Sequence, residues 1–127
     1  MKVYLSGKMR GLPEFNYPMF NLYAAKLRLQ GYTVTSPAEL DNAEDLKWVD
    51  CMKRDIRLLL DLDAIAMIPG WENSLGAKLE LLISFFMGLD IMKADTLEVY
   101  SKESSEEVVV NVIRSLPKHF LELRGLV

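Results

Sequence analysis

The sequence has few of the residues from which disulfide frameworks and metal sites are built. Its 127 residues include one cysteine, Cys51, and one histidine, His119. A single cysteine excludes an internal disulfide framework and a cysteine-rich metal site. His119 has no obvious partner, so we interpret it as a surface residue. We therefore expect neither a metal nor a cofactor.

Long apolar runs and basic tracts are also missing. No apolar run approaches the roughly 20 residues that span a bilayer, and the opening residues, MKVYLSG, lack the long apolar segment of a signal peptide. We expect no membrane partner and a cytoplasmic location. A net charge of −3 without clustered Lys and Arg argues against a nucleic acid polymer as partner. A few local cations could still hold a small phosphorylated ligand.

The composition is otherwise that of an ordinary globular protein, with half of the residues hydrophobic. The length fits one domain, residues 1–127. Short apolar strands alternate with amphipathic helical segments, and this alternation predicts an α/β fold: a small doubly wound parallel sheet of about five strands with helices on both faces. The expected strands are residues 2–6, 32–35, 64–68, 90–92 and 97–100. The expected helices are residues 17–30 with Asn16 as a cap, 48–60, one opening at Ser74, one from the 101–107 region to 116, and a last one to 127.

The stretch from residue 64 to residue 89 reads as a buried strand, a turn and a helix. Ser74 is a good N-cap, and the amides behind it with the positive end of the helix dipole form an anion site. Gly76 and Glu80 share one helix face and leave an open surface one turn before the carboxylate. The alternative is an ordinary packing helix, in which Ser74 is only a cap and Glu80 is solvated.

The loop after the first strand contains glycines and cations: Gly7, Lys8, Arg10 and Gly11. Such a loop lies at the carboxyl edge of a parallel sheet, where open α/β sheets bind their ligands. Lys8 and Arg10 could meet an anion there, Arg10 by a two-pronged contact. The alternative is a surface turn with solvated cations.

Asp55 stands at the edge of an apolar helical stripe, which makes it a candidate for a raised pKa. The alternative is an ion pair with Arg54, Arg57 or Lys53.

Two motifs in order, YLSG-x-M-x-G and PGWE-x-S-x-G-A-x-x-E, give the chain a family resemblance over about residues 2–92. It resembles the nucleoside 2-deoxyribosyltransferase-like superfamily, in particular its short bacterial and phage members, and is similar to the 2′-deoxynucleoside 5′-monophosphate N-glycosidases. The resemblance implies a doubly wound domain, a homo-oligomer that shares its active sites, and cleavage of an N-glycosidic bond.

The resemblance also implies roles for individual residues. Glu80 falls on the nucleophile, Asp55 on the second acid that helps the base leave, and Tyr4 on the tyrosine that lines the sugar pocket. Gly7, Arg10 and Gly11 match the first loop, and Ser74 and Gly76 match the phosphate-binding turn. Lys8 departs from the pattern and could strengthen phosphate binding or narrow the pocket. Trp71 could stack on a base or pack against a neighbouring subunit.

These residues predict an N-glycosidase that acts on a nucleoside 5′-monophosphate through a carboxylate nucleophile. Two alternatives stay open at this point. One is a nucleoside deoxyribosyltransferase, and the other is a non-catalytic nucleotide-binding protein of the same fold.

Overall fold

The computed structural model describes residues 1–40 and 46–118. Four parallel strands form one sheet in the order β2-β1-β3-β4. The strands are β1 (Lys2–Ser6), β2 (Thr33–Thr35), β3 (Ala64–Met67) and β4 (Asp90–Lys93). The helices are α1 (Tyr17–Leu29), α2 (Trp48–Leu59), α3 (Leu75–Phe86) and α4 (Lys102–Ser115). The predicted α/β class is confirmed, with four strands rather than five.

The predicted fifth strand, residues 97–100, is reduced to one antiparallel bridge between Met92 and Val99. The chain turns back directly after β4, with Leu97 in the left-handed region at φ 66°. It then leaves the sheet for α4 at Lys102, so no longer ladder can form. The prediction for His119 and the last helix, residues 119–127, lies outside the described residues.

Alternation along β1 gives each face of the sheet its own core. Val3 and Leu5 pack with α1 residues such as Phe20 on one face. Tyr4 belongs to the other face, where Leu59 of α2 and Leu81 of α3 cover the sheet. Successive side chains of a strand point to opposite faces, so residue 6 shares the face of residue 4. None of the helices in the described parts of the chain is long and apolar enough to cross a membrane.

Candidate active site

A pocket of about 240 Å³ lies at the carboxyl ends of β1 and β3, and we call it the Glu80 pocket. The loop after β1, the start of α2 and the first turns of α3 form its walls. The chain passes from β1 to β2 on one side and places β3 on the other side of β1. Open α/β sheets bind ligands in the crevice at such a switch point. The topology therefore puts this pocket where a ligand site is expected.

Glu80 lies at the bottom of this pocket and is only 5% exposed. Its carboxyl group accepts two hydrogen bonds, one on each oxygen. The Tyr4 hydroxyl donates to Oε2 at 2.7 Å, and the Ser6 hydroxyl donates to Oε1 at 2.8 Å. Glu80 is therefore not a solvated residue; α3 carries a buried carboxyl group that two hydroxyls of β1 hold in place.

The sequence around β1 explains how this contact forms. Tyr4 and Ser6 stand two positions apart on the strand, so both face α3. Gly7 follows, and a Cβ at this position would lie 2.9 Å from the Cβ of Ile68. Only a residue without a side chain lets the first loop leave β1 this close to the end of β3.

Asp55 reaches the same pocket from α2 and is 6% exposed. The Nε of Arg54 lies 3.0 Å from its Oδ1, so Asp55 is both buried and paired with a neighbouring cation. Two carboxyl groups that are 25 residues apart in the sequence thus line one cavity. This convergence is the geometric condition for their acting on one substrate.

Burial dominates the electrostatics of the two acids. The pKa of Glu80 is raised to about 7: burial is the largest cause, the charge of Asp55 adds to it, and the hydrogen bonds from Tyr4 and Ser6 act in the opposite direction. Burial also raises the pKa of Asp55, against the lowering effect of Arg54. The pKa of Tyr4 lies well above its usual value because of burial and the nearby carboxylates. Near neutral pH the site therefore holds a glutamate poised between its two protonation states.

The start of α3 forms one wall of the pocket. The Ser74 hydroxyl accepts a hydrogen bond from the Ala77 amide at 3.2 Å, which confirms Ser74 as the N-cap. Ser74 also lines the pocket, so the cap stands next to the cavity. The first intrahelical bond of α3 runs from the Lys78 amide to the Ser74 carbonyl, which leaves the earlier amides of the helix without an intrahelical partner.

Gly76 is less open than the sequence predicted. A Cβ there would lie 3.1 Å from the sulfur of Met52 and 3.4 Å from Nε1 of Trp48. Gly76 lines the pocket, but α2 crosses over it. The missing side chain therefore also lets two helices approach each other.

Lys8 and Arg10 of the first loop both line the pocket. Arg10 is engaged within the protein, because its Nη2 donates to the Leu46 carbonyl at 2.8 Å and lies 3.7 Å from Cys51 Sγ. Asn16 does not cap α1 with its side chain. Its Nδ2 donates instead to the Lys8 carbonyl at 2.9 Å and braces the loop.

Two of the predicted binding residues are not among those that line the pocket. Gly11 is an exposed turn residue at φ 85°. Trp71 is 8% exposed and packs in the core beneath α3, where it also borders a separate cavity of about 350 Å³. Trp71 thus packs within the core of its own chain, and stacking on a base and packing against a neighbouring subunit both stay predictions.

Sequence analysis missed Ser6 and the α2 side chains that face the pocket. Ser6 could have been found from its spacing, because it shares the strand face of Tyr4. An apolar stripe was predicted on α2, but not that the side chains at the start of this stripe face the cavity. These α2 residues are Trp48, Cys51 and Met52.

A comparison with protein families matches residues 1–93 to the model described as a domain of unknown function, DUF4406. The chain belongs to the DUF4406 family. The matched region runs from β1 to β4 and contains every residue that lines the Glu80 pocket. A comparison with curated proteins finds no match.

The raised pKa of Glu80 makes the stability of the protein depend on pH. The folded state keeps the Glu80 proton up to about pH 7, whereas the unfolded chain releases it near 4.5. Between these values the unfolded state binds fewer protons, so stability falls as pH rises. Glu80→Gln removes this loss. The free energy of unfolding of the variant, relative to that of wild type, should rise by about 3 kcal/mol between pH 4.5 and pH 7.

Urea unfolding across this pH range measures the difference. Glu106→Gln, on an exposed position of α4, is the matched control and should show no such gain. Parallel pH profiles of Glu80→Gln and wild type would contradict the buried, proton-retaining carboxyl group.

Proposed function

We propose that this protein is an N-glycosidase that cleaves the bond between the base and the sugar of a nucleoside 5′-monophosphate, with Glu80 as the nucleophile. The observation that carries the proposal is the pair of buried carboxyl groups, Glu80 and Asp55, that line one pocket at the switch point of the sheet. The resemblance of the two sequence motifs to the deoxyribosyltransferase-like superfamily supports it independently.

The two carboxyl groups suit the two charges that develop when a base leaves a sugar. A Glu80 oxygen attacks the anomeric carbon, the C–N bond breaks, and the bonding electrons leave with the base. Asp55 lies beside Glu80, and burial, which raises its pKa, favours the protonated form that can donate to the departing base. Water then adds to the anomeric carbon and gives its proton to the Asp55 carboxylate, the bond to Glu80 breaks, and the sugar phosphate and the Glu80 carboxylate are released.

The 5′-phosphate part of the proposal is supported by the walls around the carboxyl groups. Ser74, Gly76 and Lys8 line the same cavity. Six residues separate Ser74 from Glu80, about 9 Å along the helix axis. A sugar 5′-phosphate fills such a length when a hydrogen bond is allowed at each end. Phosphate at the start of α3 would thus place the anomeric carbon beside Glu80.

The same glycosyl-enzyme would support deoxyribosyl transfer if a second base displaced water. A homo-oligomer also stays a prediction. Phe86 and Met87 at the end of α3, 63% and 60% exposed, offer an apolar surface for it, whereas Phe85 is partly buried against the core.

The proposal predicts release of free base when the purified protein is incubated with nucleoside 5′-monophosphates. A panel of ribo- and deoxyribonucleotides, each matched with its nucleoside, is followed by chromatography. Glu80→Gln should lower the rate at least 1000-fold, on the order of the loss seen when a covalent nucleophile is removed. Asp55→Asn should lower it about 100-fold, as for a general acid.

The exposed substitutions Glu106→Gln and Asp61→Asn are the matched controls and should keep the wild-type rate. An added second base distinguishes transfer from hydrolysis, because transfer would give a new nucleotide. Binding of nucleotide without release of base from any of them would contradict the proposal and favour a non-catalytic binding protein.

Trp48 lines the pocket and is half-buried, whereas the other tryptophan, Trp71, does not line it. This difference gives a second prediction. A base bound on α2 would stack against Trp48, a contact worth about 1–3 kcal/mol. A nucleoside 5′-monophosphate should therefore quench the fluorescence of Trp71→Phe, which retains Trp48. It should leave that of Trp48→Phe nearly unchanged, and deoxyribose 5-phosphate should quench neither. Equal quenching of both variants would rule out Trp48 as the base-stacking residue.

A further inference from the structure

Ser6 makes a contact that the proposed reaction does not by itself require. Tyr4 and Ser6 are both completely buried and lie two positions apart on one face of β1. Each donates to a different oxygen of Glu80, at 2.7 Å and 2.8 Å. Both oxygens of the carboxyl group are thus hydrogen-bonded to hydroxyls of one strand.

Counting protons shows which form of Glu80 this arrangement fits. A carboxylate only accepts hydrogen bonds, so it satisfies both hydroxyl donors at once. A protonated Glu80 has a donor of its own. One of the two hydroxyls would then have to turn around and accept, and its own proton would need another partner in a buried place. Protonation therefore reverses one of the two contacts and leaves the proton of that hydroxyl without its carboxylate acceptor, which is costly away from water.

The surroundings of Glu80 contain charges of both signs. Tyr4 faces it from β1. Asp55, which is paired with Arg54, lines the pocket from α2 together with Cys51. Lys8 and Arg10 line it from the first loop. Burial and the charge of Asp55 both oppose ionisation of Glu80. Ser6 opposes them as a neutral dipole, without adding a charge that would bind an anion or neutralise the nucleophile.

We propose that Ser6 is a positioning residue for Glu80, which together with Tyr4 favours, against the effect of burial, the ionised form of its carboxyl group that can attack a sugar. The attack on a sugar rests on the proposed N-glycosidase function, whereas the effect of Ser6 on the ionisation of Glu80 does not. Ser6 touches no reacting atom and acts through Glu80.

Ser84 is a matched control one turn after Glu80 on α3. It is also completely buried, and its hydroxyl donates at 2.7 Å to the backbone carbonyl of Glu80 rather than to the carboxyl group. Ser6→Ala and Ser84→Ala each remove one buried hydroxyl that contacts Glu80. Only the first removes a donor to the titrating group.

The test is a direct titration of the Glu80 carboxyl carbon by NMR in protein labelled with ¹³C at the glutamate carboxyl. The Glu80 signal is assigned by its loss in Glu80→Gln. Ser6→Ala should raise the titration midpoint by about one pH unit, a tenfold weaker acid, as expected for loss of a hydrogen bond to a charged group. Ser84→Ala should leave the midpoint within a few tenths of a unit. Ser6→Cys, with a weaker donor of similar size, should fall between wild type and Ser6→Ala and serves if Ser6→Ala fails to fold.

An unchanged or lowered midpoint in Ser6→Ala, or an equal rise in Ser84→Ala, would overturn the role of Ser6. The titration needs no substrate, so its outcome is separate from that of the base-release assay. If base is released, the acidic limb of the rate profile should move with the midpoint in Ser6→Ala and stay in place in Ser84→Ala. A shifted midpoint without any base release would support the effect of Ser6 on the ionisation of Glu80 and contradict only the attack of Glu80 on a sugar.

Discussion

The structure depends on how one buried carboxyl group is satisfied. Removing the Glu80 carboxylate from water carries a large free-energy cost, which hydrogen bonds, nearby positive charge or uptake of a proton can offset. Two hydroxyls of β1 provide these bonds, one for each oxygen. Because Tyr4 and Ser6 belong to the central part of the sheet, the contact also fixes how α3 lies over β1. Buried carboxyl groups with a raised pKa are more typical of functional sites than of packing, which is why the proposed function starts from Glu80.

The other elements of the fold form the cavity through which a ligand would reach this group. The sheet order places β1 next to the switch point, so the cavity above Glu80 opens at the edge where loops can vary. Gly7 lets the first loop pass close to Ile68, and Ser74 caps α3 beside the cavity. α2 then forms the third wall and brings Asp55 into the pocket that Glu80 lines. Two of the three walls are thus set by a local feature of backbone or capping.

Much of this was readable from the sequence, and the failures have physical causes. The strands, the helix starts and the convergence of Tyr4, Asp55 and Glu80 followed from periodicity and from motifs with a family resemblance. The fifth strand failed because an apolar run does not reveal that Leu97 turns the chain back. The position of Trp71 could not be predicted, because a tryptophan beside a motif can serve the core or the pocket, and packing alone decides. The cover of Gly76 by Met52 depends on how two helices cross, which no local pattern encodes.

The central claim is that Glu80 forms a covalent bond to the sugar of a nucleotide. The most direct measurement is mass spectrometry of protein mixed with a nucleoside 5′-monophosphate, quenched in acid and digested. The account predicts a sugar-phosphate ester on the peptide that contains Glu80, absent from Glu80→Gln and accumulating in Asp55→Asn if that residue also assists the water. Release of base without any adduct on Glu80, or with an adduct on another residue, would contradict it.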